Sequence, residues 1–394
     1  MQKKTILDID VNFKTVLVRV DFNVEIHGDV IADDSRMRAS IPTIKYLQEH
    51  NAKVILCSHL GRPGGKVVES LRMKPIATHL ATLLEQNVIC VDELNVDDIN
   101  NTVAVMTPND ILMLENLRFN TGEESNDLDF SKLIGSLADV FVQDGFGVVH
   151  RTHASTEGIT HYLPSVSGLL MNKEIDILWK LTQTPESPLV LVLGGAKISD
   201  KIGVIENFLD KIDTLLIGGG MAGTFLKANG FNIGKSIVED SKLDIAKGLM
   251  DKAVKKGIRL IIPKDVVVAD FFGADAKKMT VDIDVIPSDW YIMDIGHKTL
   301  DVFKSEVSSA KTVLWNGPMG VFEFEQFSKG TVELAATLGS LNGVITVLGG
   351  GSTAEAVDSL GIADRITHVS TGGGATLEFL EGKDLPGIVS LLDK

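Results

Sequence analysis

The stretch "TLLIGGGMAGTFLKANG", Thr214 to Gly230, decides how the chain is read. Leu215, Leu216 and Ile217 form an apolar strand pattern that runs into Gly218, Gly220 and Gly223, and a helical pattern follows. That is a G-x-G-x-x-G between strand and helix, with Glu239 and Asp240 about twenty residues on, the layout of a dinucleotide-binding turn. Outward from it, apolar runs alternate with amphipathic segments along the whole chain. The first half carries "TVLVRV" (15–20), "KVILCS" (53–58), "NVICV" (87–91), "ILMLEN" (111–116) and "DVFVQ" (139–143). The second carries "PLVLVL" (188–193), "TLLI" (214–217), "RLIIP" (259–263), "TVLW" (312–315), "VITVL" (344–348) and "ITHVS" (366–370). Short, non-alternating apolar runs are what strands buried on both faces show. Their alternation with helical segments predicts an α/β fold of doubly wound parallel sheets.

A chain of 394 residues exceeds what one hydrophobic core usually supports, which predicts two domains. "HYLPSVSGLLMNKEIDILWKLTQTPESPLV" places Met171, Ile175 and Leu178 at helical spacing, with Pro164 before and Pro185 and Pro188 after. We therefore expect a connector helix at residues 169–186 between lobes 1–168 and 187–377. A formal charge of −15 argues against nucleic-acid and anionic-membrane partners. No window approaches ~18 uncharged apolar residues, and "MQKKTILDID" meets Asp8 before an apolar run, so neither a span nor a secretory signal is expected. Two cysteines, Cys57 and Cys90, make no disulfide framework and suit a reducing cytoplasm.

In open α/β sheets ligands sit outside the carboxyl ends of the strands. In the first half those ends deliver Asp21 and Asn23, His59 and Arg62, Arg118, Asp144, and "GVVHRTHAS" with Arg151. Arg19, Arg36, Arg38, Arg62, Arg72, Arg118 and Arg151 precede the connector, whereas only Arg259 and Arg365 follow it. Any one of these alone is as well explained by a solvated or structural role. Together, because guanidinium pairs bidentately with phosphate or carboxylate, they predict a pocket for a small anion.

The second half delivers glycines: "GGAKISDK" (194–201), "GGGMAG" (218–223), "NGPMG" (316–320), "GGGST" (349–353) and "TGGGAT" (371–376). Glycine admits positive φ and close backbone approach, and a helix start behind it favours phosphate. Lys197 and Lys201, four apart at a predicted helix start, are expected on one face. No G-x-x-x-x-G-K-[ST], H-E-x-x-H, C-x-x-C or EF-hand loop occurs, so a metal such as Mg²⁺ would arrive with a nucleotide. One cluster for a small acid and one for a nucleotide predict a phosphotransferase. An NAD-dependent oxidoreductase built on residues 218–223 stands as the alternative.

"VLVRVDFNV", "SHLGRP", "LENLRF", "HRTHAST", "LGGAKISDKI", "GGGMAGTFLKA", "WNGPMGVFE" and "STGGGATLEFLEGKDLPG" resemble the signatures of phosphoglycerate kinases, in that family's order from the first strand to the C-terminus. The resemblance implies two Rossmann-like lobes joined by a hinge, a monomer in the cytoplasm, and the reaction 3-phosphoglycerate + MgATP ⇌ 1,3-bisphosphoglycerate + MgADP. It implies that Asp21, Asn23, Arg36, His59, Arg62, Arg118 and Arg151 hold phosphoglycerate. Lys197 and Lys201 would lie along the nucleotide phosphates, Gly218 and Gly219 beside the adenine, Glu323 at the ribose and Asn316 near the triphosphate. Gly349, Gly350, Gly351, Ser352 and Thr353 would open the phosphate-binding helix, and Gly372 and Gly373 would offer N–H groups to the transferring phosphoryl. Residues 378–394 would pack back on the first lobe.

Such a reaction asks a protein mainly for positioning and charge stabilisation, with no base because the acceptor carboxylate is already ionised. Arg36 and Lys201 are the expected neutralisers of the bridging oxygens, and splitting the reactants between lobes would let closure exclude water. Ser352 departs from the family, which usually has an acidic residue there, and this predicts weaker metal anchoring. A second departure, "QDGFG" at 143–147, is expected to concern packing.

Overall fold

The apolar runs of the first half become one parallel sheet. Its strands are β1 (Thr15–Arg19), β2 (Lys53–Cys57), β3 (Val88–Cys90), β4 (Ile111–Met113), β5 (Val140–Gln143) and β6 (Ser165–Ser167), in the order β3-β4-β2-β1-β5-β6. The computed structural model describes residues 2–28, 30–108 and 110–394. Along β1 the side chains divide by period two. Val16 and Val18 join Met37, Ile44, Leu47 and Leu80 on one face, whereas Leu17 joins Leu117, Phe130 and Ile134 on the other. Helices cover both faces, which is why the run is apolar without alternation.

The second half repeats the plan with an insertion. β7 (Leu189–Leu193), β8 (Thr214–Ile217) and β9 (Arg259–Ile261) are followed by β10 (Asp265–Ala269), β11 (Lys278–Asp282) and β12 (Tyr291–Ile295). Then come β13 (Thr312–Asn316), β14 (Ile345–Gly349) and β15 (His368–Val369). The parallel sheet runs β9-β8-β7-β13-β14-β15, and the insertion is an antiparallel sheet ordered β11-β10-β12. Two six-stranded parallel sheets in a mixed α/β chain match the expected class. β6 and the antiparallel sheet are additions to it: "SVS" is too short and polar to signal a strand, and β11 is exposed along most of its length.

Residues up to Trp179 together with Lys383–Lys394 form one compact unit, and Lys180–Gly382 form the other. The division falls inside the helix Leu169–Gln183, whose Met171, Ile175 and Leu178 are buried. The C-terminal segment is tied into the first unit by backbone bonds. Lys4 N–H donates to the Leu392 carbonyl at 2.8 Å and Gly387 N–H to that of Val149 at 2.9 Å. No described helix is long and apolar enough to cross a membrane.

Both sheets contain a strand at which the connections reverse direction. In the first unit it is β1, flanked by β2 and β5; in the second it is β7, flanked by β8 and β13. The carboxyl end of such a strand opens the crevice where α/β sheets bind ligands. At β7 that end is "GGAKISDK"; the glycines of 218–223 follow the neighbouring strand β8.

Candidate active site

At the end of β1, Asp21 Oδ2 accepts from Arg36 Nη1 at 3.1 Å, and the same nitrogen donates to the Asn23 carbonyl at 3.2 Å. Asn23 Oδ1 accepts from Gly61 N–H at 2.9 Å, while Arg118 Nη1 donates to the Gly61 carbonyl at 2.7 Å. The turn after His59 is thus held from two strand ends. His59 is buried, with Nδ1 3.2 Å from Arg19 Nη2 and 4.0 Å from Asp21 Oδ1. Burial, then the charges of Arg19, Arg118 and Arg151 and the neighbouring His153, hold His59 well below the usual histidine range. His153 is pushed down to about 4, by burial first and then by the same arginines. Arg118 is itself lowered by burial and by Arg151 and Arg19, against the attraction of Glu124. An anion would relieve groups held down by burial and by one another's charge in this way, which makes the cluster a candidate anion site. Arg151 is half-buried beside His150, and Arg62 stands exposed one residue past Gly61.

The second unit builds its crevice from backbone. Gly194 N–H donates to the Asn316 carbonyl at 3.0 Å, Gly195 N–H to Pro318 at 2.9 Å, Gly219 N–H to Met319 at 2.9 Å and Met221 N–H to Gly195 at 2.9 Å. Three strand-end turns are therefore knitted to one another. Gly219 sits at φ +63°, and a Cβ there would lie 2.5 Å from Gly195 N and 2.7 Å from the Pro318 carbonyl oxygen. No side chain fits. These turns, with Gly220, Phe272, Met293, Val321 and Glu323, line a largely apolar cavity of about 220 Å³.

Beside them Lys201 is buried and its Nζ bonds to Asn316 Oδ1. Burial pushes this ammonium down to about 8, against the pull of Asp200 and Glu381. Asn316 Nδ2 is buried with no hydrogen-bond partner, 2.8 Å from where a Cβ on Gly349 would stand. Gly350, at φ +95°, precedes the helix Gly351–Ser359, and Thr353 Oγ1 accepts from Gly317 N–H at 3.0 Å. Gly373, at φ +52°, precedes the helix Gly374–Leu380, whereas Gly372 N–H is already engaged by Ser370 Oγ at 3.3 Å.

One local expectation is corrected. The helix after β7 begins only at Ile202, so Lys197 and Lys201 do not share a helical face. Gly195 takes φ +90° and the following loop turns Ile198 into the core, which leaves Lys197 exposed and Lys201 buried. The two acids expected of a dinucleotide site are also spoken for: Glu239 accepts from Ser199 N–H at 3.0 Å, and Asp240 from Lys227 Nζ at 2.6 Å. Sequence reasoning passed over Glu123 and Ser155, and counted Arg19 only among the arginines. All three are buried behind His59. The available signal was an arginine ending an otherwise apolar run.

A small-anion cluster at one strand reversal and a glycine-built crevice at another are what a phosphoryl-transfer enzyme with two reactants needs. The family model for phosphoglycerate kinase matches residues 6–383. The chain belongs to the phosphoglycerate kinase family. It is 52% identical over 397 residues to the phosphoglycerate kinase of Rippkaea orientalis, covering 99% of each chain, and 50% identical over 394 residues to that of Moorella thermoacetica, covering all of both. Among solved structures it is similar to phosphoglycerate kinase from Coxiella burnetii, with a TM-score of 0.87 at 39% identity. It is also similar to the enzyme from Pyrococcus horikoshii, with a TM-score of 0.83 at 32% identity; each match covers 98% of both chains. Membership makes this chain a kinase of glycolysis, working by reversible phosphoryl transfer, with a nucleotide and 3-phosphoglycerate as the substrates the family implies. The oxidoreductase alternative finds no support. Of the fingerprint glycines, Gly218 packs against Met319 and Gly220 against Ala196 in the neighbouring turns, and Gly223 against the Ile237 carbonyl.

Proposed function

We propose that the first unit, with the expected lobe 1–168 and residues 378–394, holds 3-phosphoglycerate, and that the second, with lobe 187–377 beyond the connector 169–186, holds MgATP. Asp21, Asn23, Arg36, His59, Arg62, Arg118 and Arg151 form the acid's site. Its depressed histidines and Arg118 support an anionic occupant. Gly218 and Gly219 border the adenine in the apolar cavity, with Glu323 at its edge for the ribose. Lys197, Lys201, Asn316 and residues 349–353 receive the phosphates. The observation that carries this half is the buried Lys201 bonded to Asn316, whose own Nδ2 is an orphaned donor beside the Gly349 turn. A phosphate oxygen would satisfy both.

In the reaction the ionised carboxylate of phosphoglycerate attacks the terminal phosphorus, and the bond to the ADP oxygen breaks. Arg36 and Lys201 neutralise the oxygens on either side of the moving group, and Gly372 and Gly373 present backbone to it. Among the described residues no three His, Cys, Asp or Glu side chains gather as metal ligands. Mg²⁺ would arrive on the nucleotide's own phosphates, with the Ser352 hydroxyl as a neutral oxygen near the helix start. When bound, the ion supplies charge neutralisation along the triphosphate. A monomer in the cytoplasm completes the proposal, and sedimentation at working concentration reads the first of these.

The test is a coupled-dehydrogenase assay with 3-phosphoglycerate, ATP and Mg²⁺, run beside Lys201→Ala. Loss of a stabilising cation is expected to lower kcat by ~10³ or more. A variant that keeps its turnover would remove Lys201 from the chemistry.

A further inference from the structure

We propose that Arg19 is a positioning residue for the phosphoglycerate site: it holds His59 as a neutral imidazole protonated on Nε2, so that His59 meets the acid as a hydrogen-bond donor whose strength does not change with pH. The inference rests on the placement of His59 in that site. Its geometry begins with Arg19, the last residue of β1, which is 1% exposed. Arg19 Nη2 lies 3.2 Å from His59 Nδ1. A guanidinium has five donors, no acceptor and a charge it does not lose. Nδ1 must therefore accept, and the proton of the neutral ring goes to Nε2.

The rest of the fork is pinned, so the donor cannot turn away. Arg19 Nε donates to Ser155 Oγ at 2.8 Å and Nη1 to the Val20 carbonyl. Ser155 is held in turn by Glu123, its hydroxyl donating to Oε1 at 2.6 Å and its N–H to Oε2 at 3.0 Å. Glu123 is fully buried and is the counter-charge that makes an interior arginine tolerable. Among the described residues the carboxylate near the His59 ring is Asp21. At 4.0 Å it lies beyond hydrogen-bond reach of Nδ1 and is bonded to Arg36 instead. The other charged or titratable groups that act most on the ring among the described residues are Arg19, Arg118, Arg151 and His153. Protonating Nδ1 would point a proton at a guanidinium inside a cationic cluster. Nε2 makes no hydrogen bond among the described residues and is not one of the buried orphan atoms, which leaves it for a ligand.

The deciding measurement is the ¹⁵N–¹H spectrum of histidine side chains in the full-length protein, from pH 5 to 8, with and without 3-phosphoglycerate, His59 being assigned by its loss in His59→Asn. The expected result is a ring carrying hydrogen on Nε2 alone, unchanged across that range, whose Nε2 signal moves on adding the acid. A proton on Nδ1, or titration within the range, overturns the inference whatever the acid does. A fixed Nε2–H ring that phosphoglycerate leaves untouched keeps the tautomer but overturns the placement of His59 in the site. As a second arm, Arg19→Met with Glu123→Gln removes both buried charges together. In that variant KM for 3-phosphoglycerate should gain a pH dependence of about tenfold between pH 6 and 8, while KM for ATP stays level. A folded variant with a flat KM profile would count against Arg19.

Discussion

The two units solve the same problem with opposite materials. Each has six parallel strands with a reversal in strand order, and the proposed binding chemistry of each lies at that reversal. At the end of β1 the candidate site is built from side chains: Asp21, Arg36, His59 and Arg118, backed by the buried pair of Arg19 and Glu123. At the end of β7 it is done mainly by backbone, through glycine turns too close together to admit a Cβ. On the proposed placement of the ligands, the difference follows from them. A small acid offers charged groups that guanidinium forks match in geometry. A nucleotide offers a flat apolar base and a chain of phosphates, which ask for close walls and N–H groups.

The contrast is broken most sharply by paired substitutions. Gly219→Ala forces a Cβ to within 2.5 Å of Gly195 N, at φ +63°. Backbone atoms cannot step aside, so overpacking and the left-handed conformation together should cost about 3–4 kcal/mol. Calorimetry is expected to show ADP binding lost while 3-phosphoglycerate still binds. Arg118→Ala should do the reverse, at about 2 kcal/mol or roughly thirtyfold in phosphoglycerate affinity, with ADP affinity unchanged. If either variant weakened both ligands alike, the separation of materials would be wrong.

Eleven of the parallel strands were legible because burial on both faces forces apolar runs. The antiparallel insertion was not. β11 faces solvent along most of its length, so its residues need no apolar pattern, and what marks it as a strand is its pairing with β10, the five pairs from Asp265↔Asp282 to Ala269↔Lys278, which no local stretch encodes. The candidate binding residues were readable as types at strand ends, since arginine and glycine announce themselves there. Their support was not. Nothing local to "TVLVRV" says that Arg19 will meet Ser155 and His59, residues distant in sequence that only the sheet order brings together. The shared face of Lys197 and Lys201 failed for a related reason: spacing of four implies one face only once a helix has begun, and the helix begins at Ile202, after both lysines.

Each unit also buries one carboxyl that burial pushes up to about 7, Asp144 in the first and Asp294 in the second. Asp144 Oδ1 accepts from Leu170 N–H at 3.0 Å and Met171 N–H at 3.2 Å, at the start of the helix Leu169–Gln183. A Cβ on Gly168 would fall 2.1 Å from that oxygen, so this part of "QDGFG" is packing joined to helix capping. Because the folded values lie above the unfolded value of 3.8, the folded state holds more protons between about 4 and 7. Stability is therefore full below that window and falls as pH rises through it. Asp144→Asn keeps the accepting oxygen and removes the buried charge, and should flatten part of the slope. At pH 8 the gain should be about 1 kcal/mol, or 2–4 °C for a unit of this size, because the neutral amide accepts more weakly than the carboxylate. Thermal melts of both proteins from pH 4 to 8 give the comparison; parallel curves would mean that Asp144 stays ionised in its burial site.

The smallest effect probes the one place in the glycine-built crevice where a side chain departs from the family. Ser352 is partly buried in the first turn of the helix Gly351–Ser359, a turn without an acidic residue, and its neighbour Thr353 is already committed to Gly317 N–H. Ser352→Asp adds a hard anionic oxygen where the N-terminal N–H groups also favour negative charge, a setting worth about 0.3–1 kcal/mol before any metal binds. With Mg²⁺ present, ADP should bind severalfold more tightly; without it, the new carboxylate should repel the phosphates and weaken binding. Titrations of ADP with and without the metal separate the two cases. Opposite changes would place position 352 beside the metal–phosphate group, whereas a metal dependence equal to that of the serine protein would show that the side chain points away from it and that this exchange carries no cost to the backbone-built site.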